Sequence, residues 1–337
     1  MTAADEPDGK RAGTPAGGAS PEAGGRREAA ERLAAAIHRQ ALGLAETPLA
    51  SGLHIVATPI GNLGDVTIRA LATLARADLV CCEDTRHTRR LLERYGIDRP
   101  MRPYHEHNAE RERPRLIAEL GRGARIALVS DAGTPLVSDP GFKLVREAAA
   151  AGLAVWTLPG PSAALAALTL AGLPTDEFLF AGFLPARQGA RRERIKALAA
   201  QSATLIFYEA PSRIAETLAD LAELLGASRP AALARELTKI HEEVRRGPLS
   251  ELATAINGQE VKGECVILVG AGEAAGAGAE EIRQALGAAF ARGATLRDAV
   301  RQVTGDLAVQ RNRVYEIAIA LKDGRSDGRA DQDGEEG

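Results

Sequence analysis

The sequence predicts a two-domain α/β protein followed by a small helical module. Three observations carry this. From residue 53 to about 172, near-continuous apolar runs alternate with amphipathic stretches, the pattern of parallel strands and crossover helices. From residue 177 strand-like runs follow one another closely, so the second domain is expected to be mixed or partly antiparallel. Beyond an Ala/Gly stretch at 273–279, three short amphipathic segments follow. The expected divisions are a disordered or variable extension at 1–50, a first α/β domain at 51–172 and a second at 173–272. A helical, helix-turn-helix-like module at 280–322 and an acidic tail at 323–337 complete the chain.

The elements follow in order. The first half of the extension is rich in Ala, Gly, Pro, Arg and Glu and is expected to be disordered, while 28–45 have helical character. Residues 53–58 read as a strand. Residues 65–77 read as a helix capped by Asp65, with Ile68, Leu71 and Leu74 on one face. Strand 79–83 and helix 86–95 come next, then helix 110–121, strand 125–130, helix 140–151, strand 154–158 and an Ala/Leu-rich helix after Pro161. In the second domain the strands are expected at 178–181, 203–208, 231–236, 241–246 and 264–269. Helices are expected at 190–200, 211–225 and 249–256, and in the terminal module at 280–292, 295–304 and 309–321.

Composition narrows the function. A net charge of −3 makes the whole chain no polyanion binder, so a nucleic-acid surface must be a local patch. Two stretches qualify. Residues 86–115 hold nine Arg against five Asp or Glu, and 188–196 hold four basic residues against one acidic. The three cysteines, Cys81, Cys82 and Cys265, suit a reducing cytoplasm rather than a disulfide framework, and none has zinc spacing. No apolar run approaches a membrane span.

Chemistry concentrates in loops. Thr58-Pro-Ile-Gly-Asn-Leu-Gly64 joins a strand to a helix, but it is neither GxGxxG nor a Walker loop, so the Rossmann and P-loop readings both fail. Asp131–Gly141 packs two Gly/Pro turns after a buried-type strand, the density expected of a ligand loop at the carboxyl end of a sheet. Leu158–Ala163 repeats the strand–turn–helix plan. Polar clusters stand at Glu83–Thr88 and Tyr104–Asn108, and two more, Phe207–Arg213 and Ala234–Glu243, follow second-domain strands.

Taken together, ATPIGNLGDVT (57–67), EDTR (83–86), HEHN (105–108), SDAGTPLVSDPG (130–141), PGPSA (159–163), FYEAPSR (207–213) and ARELTK (234–239) resemble the tetrapyrrole-methylase superfamily over residues 52–272. Within it they resemble the branch of 2′-O-ribose methyltransferases of small-subunit ribosomal RNA. The corrin-ring branch usually has a Gly-rich first loop and a Gly-Asp-Pro in the second. This chain has Pro59-Ile60 and Gly133-Thr134-Pro135 there, and Ser212 where the RNA branch often has His.

The resemblance implies a fold with a cleft for S-adenosyl-L-methionine between the two domains. It implies cofactor contacts at Ile60, at Ala132, Gly133, Thr134 and Val137, at Ser162 and Ala163, and at Glu209 and Leu237. The implied reaction is methyl transfer to the ribose 2′-oxygen of a cytidine in the decoding region of 16S rRNA in the 30S subunit, by a cytoplasmic homodimer and with no metal. Catalytic candidates are Glu83, Asp84, Arg86 and Lys239, with His105 and Glu242 behind them. Arg297, Arg301, Arg311 and Arg313 of the C-terminal helices are candidates for further RNA contacts, with a structural or dimerising role of those helices left open. Two other readings stay open: a corrin- or sirohaem-type small-molecule methylase, and a non-enzymatic ribosome assembly factor.

Overall fold

The computed structural model describes residues 21–272, 278–307, 309 and 311–326. Most of the expected linker at 273–279, the first half of the extension and the acidic tail from 327 lie outside them. The helix expected over 28–45 is α1 (Pro21–Glu46), which packs on α2 (Ile68–Arg76).

The first domain is built on β1 (Gly52–Val56), β2 (Leu79–Cys82), β3 (Met101–Pro103), β4 (Arg125–Leu128) and β5 (Val155–Leu158), all parallel, in the order β3-β2-β4-β1-β5. The helices are α2, α3 (Thr85–Arg94), α4 (Ala109–Gly121), α5 (Phe142–Ala150) and α6 (Ala163–Ala171). Alternate residues of the central strands enter different cores. Leu53, Cys81, Ile126 and Leu128 meet Leu116 and Leu144, whereas Val56, Cys82 and Ala127 meet Leu74 and Leu92. Both faces of the sheet are thus covered, which is why its strands read as unbroken apolar runs.

Two details depart from the sequence reading. Asp65 sits in a 3-10 turn (Leu63–Asp65), and it is Thr67 whose side chain accepts from the Ala70 N–H and caps α2. Strand β3 has no counterpart among the expected elements, being three residues long and ending in Pro.

The second sheet, β6 (Phe178–Phe183), β7 (Thr204–Glu209), β8 (Pro230–Arg235), β9 (Glu243–Pro248) and β10 (Cys265–Val269), is mixed as expected. Its order is β6-β7-β10-β8-β9, with β6 and β7 parallel and the other pairs antiparallel. Helices α7 (Gln188–Leu198), α8 (Ile214–Leu225) and α9 (Leu249–Ile256) cover one face. The other face is covered by α6 of the first domain: Ala164, Ala167, Leu168 and Ala171 lie against Ile206, Ala232, Ala234 and Leu268. Small side chains on both partners let helix and sheet approach closely, and they fix the two domains around the loops between them. The last helices, α10 (Ala279–Ala291), α11 (Leu296–Leu307) and α12 (Arg311–Ser326), share a core around Leu286, Val300 and Val314.

The basic stretch at 188–196 is in part a structural element. Arg191 is fully buried, with Nε donating to Asp220 at 2.7 Å and Nη2 within 3.2 Å of Glu216. Arg192 pairs with Asp220 and Glu223, and Lys196 with Glu193. Arg191 and Arg192 are used in joining α7 to α8, whereas Lys196 pairs within α7, so two of the four cations of this stretch are structural. Removing one partner of a buried ion pair strands the other charge. Arg191→Ala is therefore expected to lower unfolding free energy in urea by about 3–5 kcal/mol; a loss below about 1 kcal/mol would contradict this role.

Candidate active site

The chain leaves β1 toward β2 and leaves β4 toward β5, in opposite directions from neighbouring strands. This switch point leaves a crevice at the carboxyl ends of β1 and β4, and the Gly-rich loops meet there. The Thr58 N–H donates to the Gly133 carbonyl at 2.9 Å, and the Gly133 N–H returns to the Thr58 carbonyl at 3.0 Å. The Thr134 hydroxyl donates to the Pro161 carbonyl at 3.0 Å and ties in the third loop. Leu136 and Ser138 hold positive φ angles of 73° and 65°. A loop of L-residues in that region is locally strained and must be held by its surroundings.

A cavity of about 380 Å³ lies where these loops face the ends of β7 and β8 and the start of β10. All nine positions that the resemblance assigns to the cofactor line it. Ile60 comes from the first loop, Ala132, Gly133, Thr134 and Val137 from the second, Ser162 and Ala163 from the third, and Glu209 and Leu237 from the second domain. They are not equal in chemistry. The Glu209 carboxylate is already engaged by the Thr217 hydroxyl at 2.7 Å, the Ala210 N–H at 2.8 Å and Arg213.

Among the lining residues outside the sequence-derived set are Asp131, Asp139 and Tyr208. Burial pushes the Asp139 carboxyl up to about 6, with the Ser130 hydrogen bond opposing and the charges of Glu83 and Asp131 adding to the rise. The Tyr208 hydroxyl accepts from the Ala164 N–H at 3.2 Å, joining the second sheet to α6. Asp131 and Asp139 stand in the loop already singled out, but nothing in the sequence tells which of its side chains turn inward. That depends on the left-handed residues at 136 and 138.

The catalytic candidates separate. Asp84 caps α3 by accepting from the Arg86 N–H, and its carboxylate binds the Arg86 guanidinium, which holds it well below the usual carboxylate range. A carboxylate so stabilised is a poor base. Arg86 is largely exposed beyond it. Glu83 is raised by burial and by the charges of Asp131 and Asp84, while His105 opposes the rise. Glu242 braces a loop, accepting from the Thr238 N–H at 2.6 Å.

Lys239 lies at the domain junction. Its stem fills the space in front of Gly61, where an added Cβ would stand 2.5 Å from the Lys239 Cγ. Its ammonium binds Glu236 at 2.7 Å and Glu264 at 2.9 Å. Burial pulls its pKa down, but these two carboxylates outweigh it and the net shift is upward, so it is a fixed cation. The cysteine thiols are buried, and burial pushes Cys81 up to about 12 and Cys265 to about 11, so neither is a ready nucleophile.

Residues 52–253 match the family model of Tetrapyrrole (Corrin/Porphyrin) Methylases. The chain belongs to the tetrapyrrole methylase family. It is 50% identical over 285 residues to the ribosomal RNA small subunit methyltransferase I of Mesorhizobium japonicum, a match covering 83% of this chain and 96% of that relative. The protein of the same name from Pseudomonas aeruginosa is 51% identical over 235 residues, 69% of this chain and 83% of its own. Among solved structures the fold is shared with diphthine synthase, with a TM-score of 0.53 and 20% identity over 65% of this chain and 89% of that one. This tetrapyrrole methylase is an enzyme, a methyltransferase. Among the described residues no helix is long and apolar enough to cross a membrane.

Proposed function

We propose that this methyltransferase uses S-adenosyl-L-methionine to methylate the ribose 2′-oxygen of a cytidine in the decoding region of 16S rRNA, acting on the 30S subunit in the cytoplasm. The observation that carries the reading is the convergence of all nine resemblance-derived positions on one cavity between the domains, in a chain that is half identical to small-subunit rRNA methyltransferases.

The cavity suits the cofactor. Its volume falls within the range of about 300–1,000 Å³ usual for small-molecule sites. Ile60, Val137, Leu237 and Val266 offer apolar surface to a purine and its ribose, and Asp131, Asp139 and Glu264 offer negative charge to a sulfonium and an ammonium. Helix α6 begins at the wall, and Ser162 makes no side-chain cap bond there, which favours a carboxylate at its first turn.

When bound, S-adenosyl-L-methionine supplies an activated methyl group on sulfur. The protein's part is to align the acceptor oxygen with it, to take the hydroxyl proton and to stabilise the charge left on oxygen. Asp131 would accept the 2′-hydroxyl proton, and Lys239 would face the charge left on the oxygen.

The chain is further proposed to work as a homodimer. Edge strand β6, Phe-Leu-Phe-Ala-Gly-Phe, leaves Phe178 about half exposed, at 44%. A long apolar edge of this kind needs covering. Light scattering is expected to give the mass of two chains, and a single-chain mass at micromolar concentration would rule this out. The functional reading is tested by tritium transfer from labelled S-adenosyl-L-methionine to 30S subunits from cells lacking this protein, with a tetrapyrrole precursor in parallel. Label in the rRNA is expected. Label only in the tetrapyrrole would turn the assignment to the corrin-type branch, and label in neither, with no cofactor binding, to an assembly factor.

A further inference from the structure

A second cavity, of about 260 Å³, adjoins the first and shares Ile60, Asp131, Ala132 and Glu264 with it. Its far wall is α3, through His87, Thr88, Arg90 and Leu91, and Lys239 stands on its rim. The cavity is small for a drug-sized ligand and of a size for a single nucleoside. Asp131 lines both cavities, and Lys239 lines the second.

The exposed face of α3 gives the wall a charge. Arg86, Arg90 and Arg94 recur every fourth residue, so they form one stripe running past the cavity mouth. Their partners differ from those of the arginines that follow. Arg102 is bound to Glu119, Arg111 and Arg115 to Glu112, and Arg113 to Glu147. Among the described residues Arg90 and Arg94 have no carboxylate within ion-pair distance, and Arg86 is held only by Asp84. Of the basic stretch at 86–115, the cations left for a polyanion therefore include this stripe beside the second cavity.

Resting on the rRNA methyltransferase reading, we propose that the second cavity receives the acceptor nucleoside, extruded from its strand, and that Arg90 and Arg94 hold the phosphates flanking it. Extrusion brings a buried sugar and base to an active site at a cost of a few kcal/mol of unstacking, and phosphate contacts on either side offset that cost.

The test uses the full-length enzyme and 30S subunits at fixed magnesium over about 50–200 mM KCl. The double variant Arg90→Ala/Arg94→Ala is expected to raise KM for subunits roughly tenfold and to flatten the plot of log KM against log salt by about 1.4, at 0.7 per single-strand phosphate contact. Cofactor affinity by calorimetry and thermal midpoint should not change, since both side chains are exposed and outside the first cavity. The variant His87→Trp, which fills the cavity mouth, should lose transfer to subunits while keeping cofactor affinity. The double variant Arg111→Ala/Arg115→Ala, equal in charge removed, should leave the salt slope as it is.

Wild-type KM and slope in Arg90→Ala/Arg94→Ala, with normal transfer in His87→Trp, would overturn the pocket assignment and leave the rRNA reading standing. If the wild-type enzyme labels no subunit at all, the rRNA reading fails first and the pocket assignment falls with it.

Discussion

Gly133→Val is expected to abolish cofactor binding. Gly133 has φ +78°, a region that a β-branched residue adopts only under strain, and its own N–H and carbonyl form the bridge to Thr58. An added Cβ would stand 3.3 Å from Ile60 Cγ2, and the valine methyls extend it into a lined cavity. Both effects act at once: the loop loses its path and the cavity loses volume. Calorimetry should show S-adenosyl-L-methionine affinity falling about 100-fold or more, equivalent to about 2.7 kcal/mol. Val137→Trp serves as a second variant, because it fills the same cavity without demanding a left-handed residue. If both variants fold and bind the cofactor within about threefold of wild type, the cavity is not the cofactor site.

The second large effect is expected in the chemical step. Asp131 is one of two carboxylates that line both cavities, and the other, Glu264, is already paired with Lys239. Asp131→Asn keeps the shape, and its side-chain oxygen can still accept the Asp84 N–H, which the aspartate accepts at 3.0 Å, but it cannot take a proton. Single-turnover methylation at saturating cofactor should slow by about 10²–10⁴, the usual contribution of a general base. Lys239→Met, which keeps the apolar stem against Gly61, should slow it by about 10²–10³, as expected for removing one group that stabilises an oxyanion. Cofactor affinity should change little in the lysine variant. Near-normal rates in Asp131→Asn would move the base elsewhere, first to Glu83 or Asp139, whose carboxyls burial raises.

Much of the fold was legible because both faces of each sheet are apolar. Runs such as Arg125–Leu128 and Cys265–Val269 stand out in the sequence for the same reason that they lie at the centre of a covered sheet. The Gly/Pro density at 131–141 likewise marked the loop that closes the cavity. What sequence could not supply was direction in space. Asp65 and Thr67 are both good caps, and only the 3-10 turn before them decides for Thr67. The arginines of α7 counted as free charge until the packing of α7 on α8 brought Asp220 onto Arg191. In the first basic stretch, Arg102 and Arg113 are matched by Glu119 and Glu147, partners 17 and 34 residues away that sequence distance alone does not pair.

The central claim is methyl transfer to one ribose oxygen. It is tested most directly by incubating purified enzyme and S-adenosyl-L-methionine with 30S subunits from cells lacking this protein, then hydrolysing the 16S rRNA in alkali and mapping the resistant bonds. A single new resistant phosphodiester 3′ to a cytidine of the decoding region, absent when the enzyme is Gly133→Val, is the predicted result. Methyl label that enters the rRNA on a base, with every phosphodiester still cleaved, would contradict it.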